Sequence, residues 1–162
     1  MNTNGEGDGI LYKLVVVSDV HHNLARLERI LPVINEADYL IFCGDGANDI
    51  MCVRGRITVP IICVRGNNDI GSNLTERVTT VFGNTRVLIT HGHKQNVRQG
   101  MTNLLCLAKQ IICDLVFFGN THTYFDCVAY GVHFINPGAL CNGTYALVAG
   151  DGVNFVSKMC IV

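Results

Sequence analysis

The amino-acid sequence predicts an α/β fold, and two features of its 162 residues support that prediction. The first half alternates short, wholly apolar runs with an amphipathic segment, and the second half adds strand-like runs separated by turn residues. Apolar runs without polar interruption are typical of strands that are covered on both faces of a sheet. The strand–helix–strand alternation favours parallel strands joined by right-handed crossovers.

The first half contains three predicted strands and one predicted helix. The predicted strands cover residues 14–17, 39–43 and 60–64. Between the first two strands, apolar residues recur at helical spacing over residues 23–36. This spacing predicts an amphipathic helix, and Asn23 is suited to cap its first turn.

The second half contains more strands and one further helix. Gly83-Asn84 separates two strand-like runs, so a β-hairpin is expected there. Apolar residues at helical spacing predict a helix over residues 101–111. The predicted strands of this half cover residues 78–82, 86–90, 115–118, 124–129, 132–135, 145–149 and 154–157.

Composition limits the number of domains and the kinds of partner. One domain is expected over residues 10–162, after a polar, glycine-rich stretch over residues 1–9 that we expect to be a disordered leader. A net charge of −1, from 12 basic and 13 acidic residues, argues against a general nucleic-acid face or an anionic-membrane face. No apolar run approaches the ~20 residues of a membrane span. The charged fraction of 15% leaves room for an apolar contact in a homo-oligomer.

Eight cysteines are spread along the chain without C-x-x-C or zinc-knuckle spacing. Most of them lie within apolar runs, so we expect buried free thiols that pack as small apolar side chains. Free thiols are typical of a reducing compartment. Together with the absence of a signal-peptide pattern, they favour a cytoplasmic protein.

Five strand-like runs are each followed by polar residues of the kinds that bind metal ions. These segments are Asp19-Val20-His21, Gly44-Asp45, Gly66-Asn67-Asn68-Asp69, His91-Gly92-His93 and Gly119-Asn120-Thr121-His122. In open α/β sheets, ligand sites form at the carboxyl ends of the strands. Carboxylates, imidazoles and amide oxygens together suit divalent ions such as Mn²⁺, Fe²⁺, Zn²⁺ or Ni²⁺. The sequence therefore predicts a metal site where these strand ends converge.

Taken in order, these motifs resemble the calcineurin-like metallophosphoesterases, in particular their small single-domain bacterial and archaeal phosphodiesterase branch. That family carries D-x-H, G-D, G-N-x-D/E, H-G-H and G-H-T-H, and the corresponding residues here lie between positions 19 and 122. Asn136-Pro137-Gly138 resembles a further N-P-G turn of the branch. The resemblance implies a four-layer α/β/β/α sandwich of two mixed β-sheets flanked by helices.

The resemblance also implies a dinuclear metal centre that hydrolyses a small phosphodiester. The metal ligands it implies are Asp19, His21, Asp45 and His122 for one ion, and Asp45, Asn67, His91 and Asn120 for the other. The catalytic residues it implies are Asp45, Asn67, His91 and His93. Two divalent ions are expected, and Mn²⁺ is the preferred candidate, with Fe, Ni or Zn as alternatives. The resemblance implies that a hydroxide bound between the two ions would attack phosphorus. Asp69 is expected to orient its loop and a neighbouring histidine.

One position departs from the family pattern, because Asn120 stands where the family has a histidine ligand of the second ion. A neutral amide oxygen is a poorer ligand than imidazole for Zn²⁺ or Ni²⁺, so the second site is expected to be weak. This departure keeps open a second hypothesis, a Vps29-like metal-binding interaction scaffold with little or no catalytic activity. A phosphomonoesterase or nuclease that uses the same ions is a third.

Overall fold

Ten strands and three α-helices make up residues 11–162, the part of the chain that the computed structural model describes. The strands are β1 (Tyr12–Val17), β2 (Tyr39–Phe42), β3 (Ile61–Cys63), β4 (Arg77–Phe82), β5 (Thr85–Thr90), β6 (Leu115–Phe117), β7 (Tyr124–Ala129), β8 (Val132–Pro137), β9 (Thr144–Gly150) and β10 (Phe155–Ile161). The helices are α1 (Leu24–Asn35), α2 (Ala47–Val53) and α3 (Thr102–Gln110). The predicted leader over residues 1–9 lies outside the described residues.

The strands form two five-stranded sheets, and both sheets are mixed. The first sheet has the order β10-β9-β1-β2-β3, in which β1, β2 and β3 are parallel and β9 and β10 are antiparallel additions. The second has the order β4-β5-β6-β8-β7, in which β5, β6 and β8 are parallel. The hairpin predicted at Gly83-Asn84 joins β4 to β5, and Phe82 pairs with Thr85 across it.

The two sheets pack face to face with helices outside, so the predicted four-layer sandwich is confirmed. Along β1, Leu14 and Val16 face the inner core between the sheets, whereas Val15 and Val17 face the outer core under α1 and α2. A third cluster lies between α3 and the outer face of the second sheet. The wholly apolar runs of β1 and β2 therefore reflect strands buried on both faces, whereas β3 is an edge strand whose residues are partly exposed.

Local sequence signals locate most of the elements. Asn23 caps α1 as expected, because its side-chain oxygen accepts the N–H of Arg26 at 3.3 Å. Helix α2 was not predicted, since its seven residues are too few to show a periodic pattern. Strand β10 continues to Ile161, four residues beyond the predicted end. Between residues 11 and 162, no helix has the length and apolarity needed to cross a membrane.

The expectation of buried thiols is wrong for most of the cysteines. Cys43 and Cys113 are buried, whereas Cys52, Cys106 and Cys127 are exposed. The other three are partly exposed. An apolar run shows that a segment is packed, but it does not show which face of a helix or an edge strand a given residue occupies.

Candidate metal centre

The polar segments that follow β1, β2, β3, β5 and β6 meet at one edge of the sandwich. Parallel strands direct their carboxyl ends to the same edge, and the two sheets place these edges side by side. Asp19 and Asp45 come from the first sheet, whereas His91 and His122 come from the second. The site is therefore assembled from both sheets.

Five side chains of the predicted ligand set lie close together. His122 Nε2 is 3.1 Å from Asp19 Oδ1 and 3.2 Å from His21 Nε2. His21 Nε2 is 3.4 Å from Asp19 Oδ1. His91 Nε2 is 3.3 Å from Asp45 Oδ2 and 3.9 Å from Asp19 Oδ1. Ligand atoms about 2.1 Å from a tetrahedral ion are about 3.4 Å apart, so these spacings suit a metal ion.

Two polar atoms of this cluster are buried without a hydrogen bond among the described residues: Asp19 Oδ1 and His91 Nε2. Both side chains are fully buried. Buried polar groups almost always have a partner, because an unpaired one loses its hydration without compensation. A cation in the cluster would satisfy the carboxylate oxygen and the imidazole nitrogen at the same time, so the residues present fit a metal ion.

The orientation of the His91 ring is fixed by a backbone contact. Its Nδ1 lies 2.7 Å from the carbonyl oxygen of Cys43, and since a carbonyl only accepts, Nδ1 carries the hydrogen. The lone pair of Nε2 therefore faces Asp19 and Asp45. Burial by itself lowers the pKa of His91, but the contact with Asp45 and the charges of Asp19 and Asp45 outweigh it and raise that pKa.

Asp45 is buried and strongly held as a carboxylate. The backbone N–H of Asn68 donates to its Oδ1 at 2.8 Å, and the Asn68 side-chain amide donates to its Oδ2 at 2.6 Å. Burial raises the pKa of Asp45, but His91 and these hydrogen bonds outweigh burial and hold the pKa well below its ordinary value. The side chain between the two groups of histidines is thus anionic.

Asp69 organises the loop that presents Asp45. Its carboxylate accepts the backbone N–H groups of Asp45, Gly46, Ala47 and Gly66, each at 2.8 Å. These four bonds hold the end of β2 against the end of β3. The loop-orienting role expected of Asp69 is therefore confirmed.

Backbone strain is concentrated at the site. Nine non-glycine residues between positions 11 and 162 have a positive φ, and six of them belong to the site loops: Asp19, His21, His22, Asp45, Asn120 and His122. Each such residue costs of order 1–3 kcal/mol and persists only where its surroundings enforce it. Gly66 is required for another reason, since a Cβ there would collide with the Asp45 carboxylate.

The structure does not bring the side chains of three residues of the predicted site into hydrogen-bond contact with the cluster of Asp and His side chains. The Asn67 side chain is exposed and makes no hydrogen bond within residues 11–162, whereas its neighbour Asn68 contacts Asp45. Asn120 donates its backbone N–H to Asp19 Oδ2 at 3.0 Å. The ring of His93 lies 5.4 Å from that of His91, and its Nδ1 is buried without a hydrogen bond in the described chain.

Sequence reasoning missed Cys141, which the fold brings to the site. Its sulfur and ring nitrogens of His21 and His122 all lie within 4.8 Å of one another. The available signal was the Asn136-Pro137-Gly138 motif, which closes the parallel strand β8 three residues earlier. The cysteine count alone did not indicate it, because Cys141 has no neighbouring cysteine at metal-binding spacing.

Comparison with known proteins agrees with this architecture. The family model of the calcineurin-like phosphoesterase superfamily domain matches residues 12–151. The probable metallophosphoesterase YsnB of Bacillus subtilis (strain 168) is 28% identical over 128 residues, which are 78% of this chain and 74% of that protein.

Three solved structures show the same fold at low sequence identity. A conserved protein of Streptococcus pneumoniae TIGR4 has a TM-score of 0.79 at 21% identity, covering 94% of this chain and 90% of its own. An archaeal phosphodiesterase has a TM-score of 0.74 at 20% identity, covering 91% and 99%. Vps29 of Entamoeba histolytica, solved with Zn²⁺, has a TM-score of 0.75 at 18% identity, covering 93% and 98%. Because the family model spans most of the sequence, the chain belongs to the calcineurin-like phosphoesterase superfamily.

Proposed function

We propose that this chain is a metal-dependent phosphodiesterase that hydrolyses a small phosphodiester. The observation that carries the proposal is the cluster of five Asp and His side chains from both sheets, with two buried atoms left unpaired. Family membership and the fold shared with an archaeal phosphodiesterase support the same reaction class.

The cluster divides into two overlapping groups of ligands, which supports the binding of two divalent ions. Mn²⁺ is the preferred candidate ion. One group is Asp19, His21, Asp45 and His122, and the other contains Asp45 and His91. Asp45 is shared, because its Oδ2 lies 3.8 Å from His21 Nε2 and 3.3 Å from His91 Nε2. Asn67 and Asn120 would complete the second group through amide oxygens, which makes it the weaker one.

Divalent ions in such a site lower the pKa of a coordinated water and neutralise charge on the phosphoryl group. The surrounding side chains fix the geometry in which this happens. Asn68 and Asp69 hold Asp45 and its loop, and the Cys43 carbonyl orients His91. Burial and the neighbouring His91 lower the pKa of His93, so near neutral pH its uncharged ring can donate an N–H to a phosphoryl oxygen.

Hydrolysis of a bis-aryl phosphodiester with added Mn²⁺ tests the proposal. The Asp45→Asn variant is expected to lose roughly 100-fold or more of the rate, because the carboxylate shared by both groups becomes a neutral amide. Asp151→Asn is the matched control, since Asp151 also accepts backbone N–H groups but lies in the loop after β9, at the opposite end of the sheet. An unchanged rate in Asp45→Asn would show that the site is misassigned.

Parallel assays separate the neighbouring reaction classes. An aryl phosphomonoester and an oligonucleotide, used at the same Mn²⁺ concentration, test for a phosphomonoesterase and a nuclease. Faster turnover of either one than of the diester would replace the proposed substrate class while leaving the metal site in place.

An interaction scaffold is the second candidate, and Asn120 is the observation that favours it. Its backbone is held by Asp19 and Arg98, whereas its side chain makes no hydrogen bond within residues 11–162. The fold shared with Vps29 supports this alternative. A protein that binds one ion per chain but hydrolyses no phosphoester at saturating Mn²⁺ would favour the scaffold over the enzyme.

A further inference from the structure

We infer that Cys141 is an additional ligand of the ion held by Asp19, His21 and His122, and that its sulfur makes this position prefer Zn²⁺ to Mn²⁺. The inference rests on the metal centre of the proposed function and deepens it. It concerns the identity of the ion and not the reaction.

The positions of three side chains carry the inference. The Cys141 sulfur, one ring nitrogen of His21 and one of His122 lie within 4.8 Å of one another. The Nε2 atoms of these two histidines are 3.2 Å apart, which is already ligand spacing. All three side chains are partly exposed. The thiol donates a long hydrogen bond to Asn142 Oδ1 at 3.7 Å, a contact that it would give up on binding an ion.

A second and independent observation points to a cation at this place. Asp19 Oδ1 is fully buried, has no hydrogen bond among the described residues and lies 3.1 Å from His122 Nε2. The carboxylate therefore faces the same two histidines that the cysteine approaches. The two histidines thus lie between a carboxylate oxygen on one side and a sulfur in reach of their ring nitrogens.

The backbone holds Cys141 in this position. Its N–H donates to the Asp19 carbonyl at 3.0 Å, and the preceding Leu140 N–H donates to the Ser18 carbonyl at 2.9 Å. Arg26 donates to the Cys141 carbonyl from helix α1. The loop after β8 is thus tied to the end of β1, so little ordering is needed for the thiol to reach an ion.

The donor set determines which ion is preferred. Thiolate and imidazole are ligands that Zn²⁺ favours, whereas Mn²⁺ favours oxygen ligands. The thiol releases its proton to solvent as the sulfur binds the ion. The other group, built from Asp45, His91 and amide oxygens, has no sulfur and is better suited to Mn²⁺.

The test compares Cys141→Ser with the wild-type protein and with Cys106→Ser, a control at an exposed position of α3. Zn²⁺ and Mn²⁺ affinities are measured by equilibrium dialysis. Cys141→Ser should weaken Zn²⁺ binding by roughly tenfold or more and change Mn²⁺ binding by less than about threefold. Cys106→Ser should change neither, and equal loss of both ions in Cys141→Ser would contradict the inference.

Substitution with Co²⁺ supplies a direct readout of the bond. Wild type and Cys106→Ser should show a near-ultraviolet sulfur-to-cobalt charge-transfer band that Cys141→Ser and Cys141→Ala lack. Absence of the band in the wild-type protein, or its persistence in both Cys141 variants, would overturn the inference. Hydrolysis that depends on Asp45 would still stand in that case, so failure of this inference is distinguishable from failure of the proposed function.

Discussion

Asn120 is the residue at which the sequence departs from the family pattern for the proposed second ion. It adopts a φ of 69°, a left-handed conformation that asparagine tolerates better than most residues, and its backbone is fixed by Asp19 and Arg98. Replacing it with histidine should supply the imidazole that the family places there. We expect Asn120→His to raise the affinity for a second Mn²⁺ by roughly tenfold and to increase diester hydrolysis.

The measurement for Asn120→His is metal stoichiometry by equilibrium dialysis at two Mn²⁺ concentrations. Asn96→His is the matched control, because Asn96 also has a left-handed φ, of 54°, in an exposed loop. The control should bear a similar conformational cost without gaining an ion. No gain in stoichiometry for Asn120→His would contradict the account of this position.

Membership of the site was predictable from the sequence for those residues that belong to a short motif. Asp19, His21, Asp45, His91 and His122 follow strands in order, and the structure brings them together. Contacts made by residues outside the motifs were not predictable. Cys141 reaches the site through the path of the β8–β9 loop, and the Asn136-Pro137-Gly138 motif before it does not identify the cysteine as a ligand.

The loop between β2 and α2 depends on one carboxylate from a neighbouring loop. Asp69 accepts four backbone N–H groups at 2.8 Å, and hydrogen bonds to a charged group contribute more than neutral ones. Asp69→Ala leaves these donors without their acceptor and is expected to lower the free energy of unfolding by about 2–4 kcal/mol. Metal affinity should fall as well, because the Asp45 backbone is no longer fixed.

Chemical denaturation and Mn²⁺ titration of Asp69→Ala measure these two effects. Asp151→Ala serves as the control, since Asp151 accepts two N–H groups in a turn far from the metal centre. The control should lose some stability and retain metal affinity. Wild-type metal affinity in Asp69→Ala would show that the loop does not need this carboxylate to present Asp45.

Elements were predictable where a periodic pattern is long enough. Helix α1 and the buried strands β1 and β2 show clear patterns, because each packs one or two whole faces against the core. Helix α2 escaped prediction, since it begins directly at the strained Asp45-Gly46 turn and has only seven residues. Its start is held by the Asp69 contacts, and Ile50 and Val53 pack it into the core, neither of which a local propensity encodes.

At the scale of the whole molecule, polar side chains of the described residues connect the two sheets at several places, and two of these places are groups of several side chains. The metal cluster joins the ends of β1 and β2 to those of β5 and β6. Along the edge strands, Ser157 of β10 donates to Asp126 of β7 and lies 2.6 Å from the Tyr124 hydroxyl. His133 Nε2 also lies 2.7 Å from Asp126. This group therefore connects the two sheets at a place remote from the predicted site.

An ion bound by both sheets should stabilise the native state, because the unfolded chain does not keep its ligands together. At an ion concentration of about 100 times Kd, the free energy of unfolding should rise by about 2.7 kcal/mol. For a domain of this size, Tm should rise by roughly 5–10 °C. Thermal unfolding with chelator and then with Zn²⁺ or Mn²⁺ measures the shift.

Asp19→Asn should abolish the shift, because it removes the charge of the buried carboxylate. Asp126→Asn should lower Tm in both conditions but keep the shift, since Asp126 lies outside the metal cluster. An equal shift in Asp19→Asn would mean that the stabilising ion binds elsewhere.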